Sequence, residues 1–111
     1  MRLISEAGQF TAPAAGEHVH WIEQLSVPDL SVGSYSIPAG GVDDQTPHTE
    51  DEIYVVTAGR ARIESGGDRA EVGPGSVIYV PAAEVHRFTD VSEDLALLVI
   101  FAPAEGSRAG R

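Results

Sequence analysis

Short runs rich in Val, Ile, Tyr and Thr, broken by Gly, Pro and Asp about every 8 to 12 residues, constrain this chain more than any other feature. No window of about 11 or more residues keeps a helical apolar period, so no amphipathic helix has a face to build on. The pattern predicts strands over His18 to Leu25, Ser31 to Ile37, Glu52 to Thr57, Arg60 to Ser65, Arg69 to Val72, Ser76 to Val80, His86 to Val91 and Leu95 to Phe101. Ser65-Gly66-Gly67-Asp68 supplies residues that tolerate positive φ, which predicts a hairpin between Arg60 and Val72. Ala58-Gly59 and Pro74-Gly75 mark two further turns. The run from Leu95 to Phe101 is apolar at every position, and a strand of that kind needs cover on both faces. Eight short strands therefore predict two packed antiparallel sheets with Greek-key connections, an all-β jelly roll.

A chain of 111 residues has too little material for two independent cores. One domain over residues 18–103 is expected, preceded by an N-terminal segment, 1–17, of small, polar and Pro residues. Residues 104–111 are Gly-, Ala- and Arg-rich without periodicity and read as a flexible tail.

Composition excludes several classes of function. There is no Cys, so disulfides, thiolate metal sites and Cys nucleophiles are out, and any metal must sit on imidazole, carboxylate or amide ligands. Seven basic residues, all Arg, against 17 acidic ones give a formal charge of -10, which repels nucleic acid and anionic lipid. Met1 to Gln9 lacks the apolar run of a signal sequence and no stretch approaches a membrane span, so a cytoplasmic location is expected.

The chemistry-bearing residues fall in two clusters, His48 and Glu52 in QTPHTEDEIYVV and His86 in VPAAEVHRFTD. Alternation along an extended chain gives His48, Glu52 and Tyr54 one face, and His86, Phe88 and Asp90 another. Two imidazoles and a carboxylate suit iron, manganese, nickel, copper or zinc, and open coordination positions would admit a substrate. Glu50 and Asp51 read as a solvated acidic loop, and Gly40-Gly41 with Asp43 and Asp44 as a turn. His18 and His20 form a His-x-His of their own but precede the other candidates by more than twenty residues, and read as part of an ordinary strand with Trp21 on its opposite face. Arg62 and Arg87 read as outward-facing, while Tyr35, Tyr79 and Phe101 read as core.

These clusters resemble the two motifs of the cupin superfamily. The first runs Gly, five residues, His-x-His, three or four residues, Glu, six residues, Gly, and Gly40, His48, Glu52 and Gly59 match it in spacing. The second runs Gly, five residues, Pro-x-Gly, two residues, His, three residues, Asn, and Gly75, Pro81, His86 and Asp90 match it, with Ala83 at the Gly position and Asp for Asn. The resemblance implies a double-stranded β-helix, or jelly-roll barrel, that binds one divalent transition metal ion through His48, Glu52 and His86. It also implies a homodimer, for which the apolar Leu95 to Phe101 run offers a physical reason. Thr46 stands where the first His of the family pair is usual, so the set is short by one imidazole. Gln45 can offer an amide oxygen, and Pro47, lacking an amide hydrogen, can bulge the strand to turn position 45 inward, which favours Gln45 over Thr46 as an extra ligand. If neither coordinates, two His and one carboxylate remain.

Two functions follow as expectations: a metal-dependent enzyme acting on a small oxygenated metabolite by oxygen insertion, isomerisation or elimination, or a non-catalytic module that binds a small molecule. In the first, Tyr54 is the nearby candidate for a catalytic acid or base, with Thr46, Tyr54 and Phe88 lining the pocket. A storage-type structural role ranks last.

Overall fold

A computed structural model describes residues 1–109. Eight strands are present: β1 (His20–Val27), β2 (Leu30–Ile37), β3 (Asp51–Ala58), β4 (Ala61–Ser65), β5 (Asp68–Val72), β6 (Val77–Val80), β7 (His86–Thr89) and β8 (Leu95–Ala102). They form a five-stranded sheet in the order β1-β2-β8-β3-β6 and a three-stranded sheet in the order β5-β4-β7, with every pairing antiparallel. The fold is an all-β jelly roll. No helix long and apolar enough to cross a membrane occurs among the described residues.

Side-chain alternation sorts residues between the inside of the barrel and its outer face. On β8 Leu95, Leu97, Val99 and Phe101 point inward and are almost wholly buried. Each contributes about 1.5 to 3 kcal/mol by leaving water. Glu52, Tyr54 and Val56 are the buried residues of β3, and Ile63, Val72 and Phe88 close the core from the smaller sheet. The hairpin at Gly66-Gly67 forms as expected, both residues taking positive φ. At Gly59 the backbone has φ +86° and a Cβ would lie 2.2 Å from the Asp94 carbonyl oxygen, so the β3–β4 turn accepts no side chain there.

Three strand ends differ from the expectation by two residues, the others by one at most. β1 begins at His20 because its last partner on β2 is Ser36, and Pro38 beyond Ile37 has no amide to extend the ladder. It also runs on to Val27 past a register shift between Glu23 and Leu25. β7 stops at Thr89 because Asp90 takes φ +48°, which no strand can continue through. Asp90 therefore does not share a face with His86 and Phe88; it is exposed and ion-paired with Arg62 at 3.2 Å.

The outer face of β8 is covered partly by the chain itself. The stretch around Gly8 crosses it, Gly8 N donating to Ser34 Oγ at 2.7 Å and Gly8 O accepting from the Thr57 hydroxyl, while Thr11 N reaches Ser36 Oγ at 3.0 Å. The segment after β8 is likewise tied down over its described part, where a flexible tail was expected. Ala104 is buried, Glu105 N donates to Ser31 Oγ at 2.9 Å, and Gly106 N and Arg108 N donate to Glu50 at 2.8 and 3.0 Å. Glu50, expected in a solvated loop, is only 1% exposed for that reason. Burial pushes its carboxyl up, but the bonds from Thr49, Gly106 and Arg108 outweigh it and hold the group below the usual carboxylate range. Tyr79 departs from the core reading in the other direction: it points out from β6 and is 58% exposed.

Candidate metal centre

Two strands and one loop build the site. β3 turns Glu52 and Tyr54 inward, and β7 does the same with His86. His48 comes by another route, since residues 38–50 between β2 and β3 are irregular and strand parity does not position it. That loop is fastened to the β6–β7 connection by Ala83 N to His48 O at 2.7 Å and Ala82 N to Asp51 Oδ1 at 2.9 Å. One potential ligand atom from each of His48, Glu52 and His86 lies within 4.8 Å of the other two. The histidines are 38 positions apart in sequence and are brought together by the barrel.

Asp43, 5% exposed, organises the loop. Its carboxylate accepts from Tyr35 Oη at 2.6 Å, Gln45 Nε2 at 2.7 Å and Phe88 N at 2.8 Å. A carboxylate only accepts, so the Gln45 nitrogen faces Asp43 and its Oε1 is turned into the cluster, 2.9 Å from Tyr54 Oη and 3.3 Å from His48 Nε2. Thr46 is exposed at the rim of the same cavity. The Gln45 amide oxygen is thus the group turned toward His48.

The tautomers follow from the outer partners. His86 Nδ1 lies 2.8 Å from the Glu84 carbonyl, so Nδ1 carries the proton and a neutral ring presents the lone pair of Nε2 inward. That atom sits 3.1 Å from Glu52 Oε1, which is fully buried and receives no hydrogen bond. His48 Nδ1 lies 3.3 Å from Glu105 Oε2, which in the same way leaves Nε2 to face Gln45 Oε1. Four acceptor atoms thus converge with one hydroxyl proton among them, that of Tyr54, whose Oη is also 3.0 Å from His86 Nε2. A buried unsatisfied acceptor costs about 1 to 3 kcal/mol, and acceptors facing one another add repulsion. A proton on His86 or a cation among the four atoms relieves it. The first remedy shows in the direction of titration: burial lowers the His86 pKa, but the contacts with Glu52 and Glu84 outweigh it and raise it. The second matches the donor set, because imidazole nitrogen with carboxylate and amide oxygen suits divalent transition ions.

Burial, then the Glu52 charge, pushes the Tyr54 phenol well above its ordinary value, and burial and Asp43 do the same to Tyr35. Burial also raises Glu105, against the pull of His48.

The cluster opens into a cavity of about 280 Å³ whose wall includes Trp21, Tyr35, Phe101 and Glu105. Phe88, expected to line the pocket, lies behind Tyr54 with ring centroids 5.0 Å apart and fills core instead. His18 and His20 stand outside the cluster. The sequence reading missed Asp43, read as part of a turn, and Glu105, read as tail. The only signal for Asp43 was its place two residues before Gln45; nothing marked Glu105, because its position depends on Glu50 holding the segment after β8.

Two antiparallel sheets closed around an inward His, Glu, His cluster define the class: a jelly-roll barrel with a polar site in its interior. The Cupin domain family model matches residues 33–101, and the chain belongs to this family. It is 42% identical over 97 residues to the uncharacterized protein SCO3923 of Streptomyces coelicolor, covering 87% of this chain and 92% of that one. Among solved structures it is similar to KdgF from Halomonas sp., with TM-score 0.72 and 21% identity over 82% of this chain and 85% of the other. It is also similar in fold to the DMSP lyase DddQ from Ruegeria pomeroyi, with TM-score 0.70 and 20% identity over 91% of this chain and 54% of the lyase.

Proposed function

We propose that the chain is a metal-dependent enzyme acting on a small oxygenated metabolite by oxygen insertion, isomerisation or elimination, with one divalent transition ion held by His48, Glu52 and His86 and Gln45 as a fourth ligand. The observation that carries this is the pair His86 Nε2 and Glu52 Oε1, two buried acceptors 3.1 Å apart with no hydrogen bond to the carboxylate atom. A bound ion supplies Lewis acidity that polarises substrate oxygens and stabilises negative charge developing on them.

The chain's own residues supply the rest. Glu84 O and Glu105 hold the outer nitrogens of the two imidazoles and so fix which nitrogen each turns inward. Tyr54 Oη, 2.9 Å from Gln45 Oε1 and 3.0 Å from His86 Nε2, would pass a proton to or from a ligand in the cavity. Trp21 and Phe101 shield the opening from water. The DMSP lyase among the structural relatives supports assaying elimination first.

The alternative, a non-catalytic small-molecule-binding module, draws on one observation: Thr46 occupies the position of the missing imidazole and is exposed. Elemental mass spectrometry on protein purified without chelator separates the two. Near-stoichiometric iron, manganese, nickel, copper or zinc in the native chain, lost in His48→Ala/His86→Ala, supports the enzyme; no metal in either, even after reconstitution, overturns it and leaves the binding module.

The same proposal includes a homodimer in the cytoplasm. Ile53, Val55, Val77 and Tyr79 share the outer face of β3 and β6, and the last two are 65% and 58% exposed. The outward Leu98 and Ile100 of β8 continue that face, and a second copy would cover it.

A further inference from the structure

The walls of the cavity above the cluster are aromatic and acidic. Trp21 stands at the opening, 38% exposed, yet its place is built: its ring lies against Gly33, where a Cβ would be only 2.2 Å from the indole. The ring centroids of Tyr35 and Phe101 each lie 6.3 Å from that of Trp21, with interplanar angles of 71° and 78°. All three rings border the cavity, and Trp21 keeps the largest exposed share among them. Tyr35 donates its hydroxyl proton to Asp43, which keeps its ring electron-rich.

Charge points the same way. Asp44, Glu52 and Glu105 line this cavity. No Arg lines it among the described residues, and the chain has no Lys. Even with a divalent ion on the His, Glu, His cluster, three carboxylates leave the site one negative charge in excess. An anionic substrate would find no guanidinium to pair with, whereas a cation over aromatic faces is attracted by the ring quadrupoles and by Asp44 and Glu105.

We infer that Trp21, Tyr35 and Phe101, with Asp44 and Glu105, form a subsite for a methylated onium group, so that the substrate is a small cationic or zwitterionic molecule carrying such a group. An onium centre suits these walls because it has no N–H or O–H to satisfy and presents methyl groups to apolar surface while keeping its charge. The volume of about 280 Å³ admits a molecule of choline size beside the cluster. The inference rests on reading this cavity as the ligand site of the proposed function and adds the class of its substrate.

Choline and its neutral isostere 3,3-dimethylbutan-1-ol separate charge from shape. Both are titrated into the intact chain by calorimetry and by the fluorescence of Trp21, the sole tryptophan, in metal-loaded and chelator-treated protein. Choline is expected to bind about tenfold or more tightly than the alcohol. Calorimetry on Trp21→Leu, which keeps an apolar wall without the ring quadrupole, should show a comparable loss for choline and little change for the alcohol. Equal affinities, or no saturable binding of choline in either form, overturn the inference. A chain that retains metal but shows no preference for choline loses this subsite and keeps the metal reading; one that prefers choline but retains no metal keeps the subsite and loses the metal.

Discussion

Asp43 has no hydrogen bond to His48, Glu52 or His86, yet it decides which atom Gln45, the fourth proposed ligand, turns toward them. Replacing it with Asn lets the amide of Gln45 flip, because a side-chain amide can accept or donate where a carboxylate only accepts. Asp43→Asn is therefore expected to weaken metal binding about 10- to 100-fold, the range for partners that orient ligands, read by competition with a chromogenic chelator. Gln45→Ala should weaken it as well, and Thr46→Ala should not, an outcome that would choose between the two residues left open by the motif. Ala83 belongs to the same scale. It takes φ +67° at the position where the family has Gly, a conformation costing an L-residue about 1 to 2 kcal/mol. Ala83→Gly is expected to stabilise the protein by about 0.5 to 1 kcal/mol once the greater freedom of unfolded Gly is deducted, seen as a raised thermal midpoint. Asp90, in the position of the family's Asn, takes φ +48°, a left-handed conformation that Asn and Asp tolerate better than most residues.

Among elements, β3 and β8 were the most legible and the loop before β3 the least. The alternation of Glu52, Tyr54 and Val56 and the unbroken apolar run of β8 are properties of neighbours in sequence, so a strand's period reveals them. His48 lies outside any period, and its arrival at the cluster depends on contacts with Ala83 and Glu105 from distant parts of the chain and with Gln45 in its own loop. Alternation assigned it the face of Glu52 for a reason that does not apply to an irregular loop, and the motif spacing pointed to the same place. The segment after β8 was illegible for the same reason, its order coming from Ser31 and from a buried carboxylate 56 residues away from Gly106. Glu50→Gln is expected to cost about 1 to 3 kcal/mol, since hydrogen bonds to a charged group are replaced by weaker ones. Amide hydrogen exchange at Gly106 and Arg108 should speed up, while exchange in β2 and β8 keeps its order; unchanged exchange at both amides would show that Glu50 is not what holds the segment.

For the whole molecule, the all-β jelly roll was legible because Gly, Pro and Asp punctuation and the absence of a helical period act along the entire chain. How the outer surface of the barrel is divided was not readable. The apolar outer face of β8 suggested a subunit contact, and the chain covers part of it itself around Gly8, leaving the β3 and β6 side open. Light scattering should report a dimer for the native protein and a monomer for Tyr79→Glu; a native monomer would remove the dimer from the proposal. Glu105 reaches the cavity on a segment that belongs to neither sheet. The barrel is thus a frame with a detachable insert, and recombination at one junction after Ala102 could exchange the charge at the mouth of the cavity without breaking a single strand pairing.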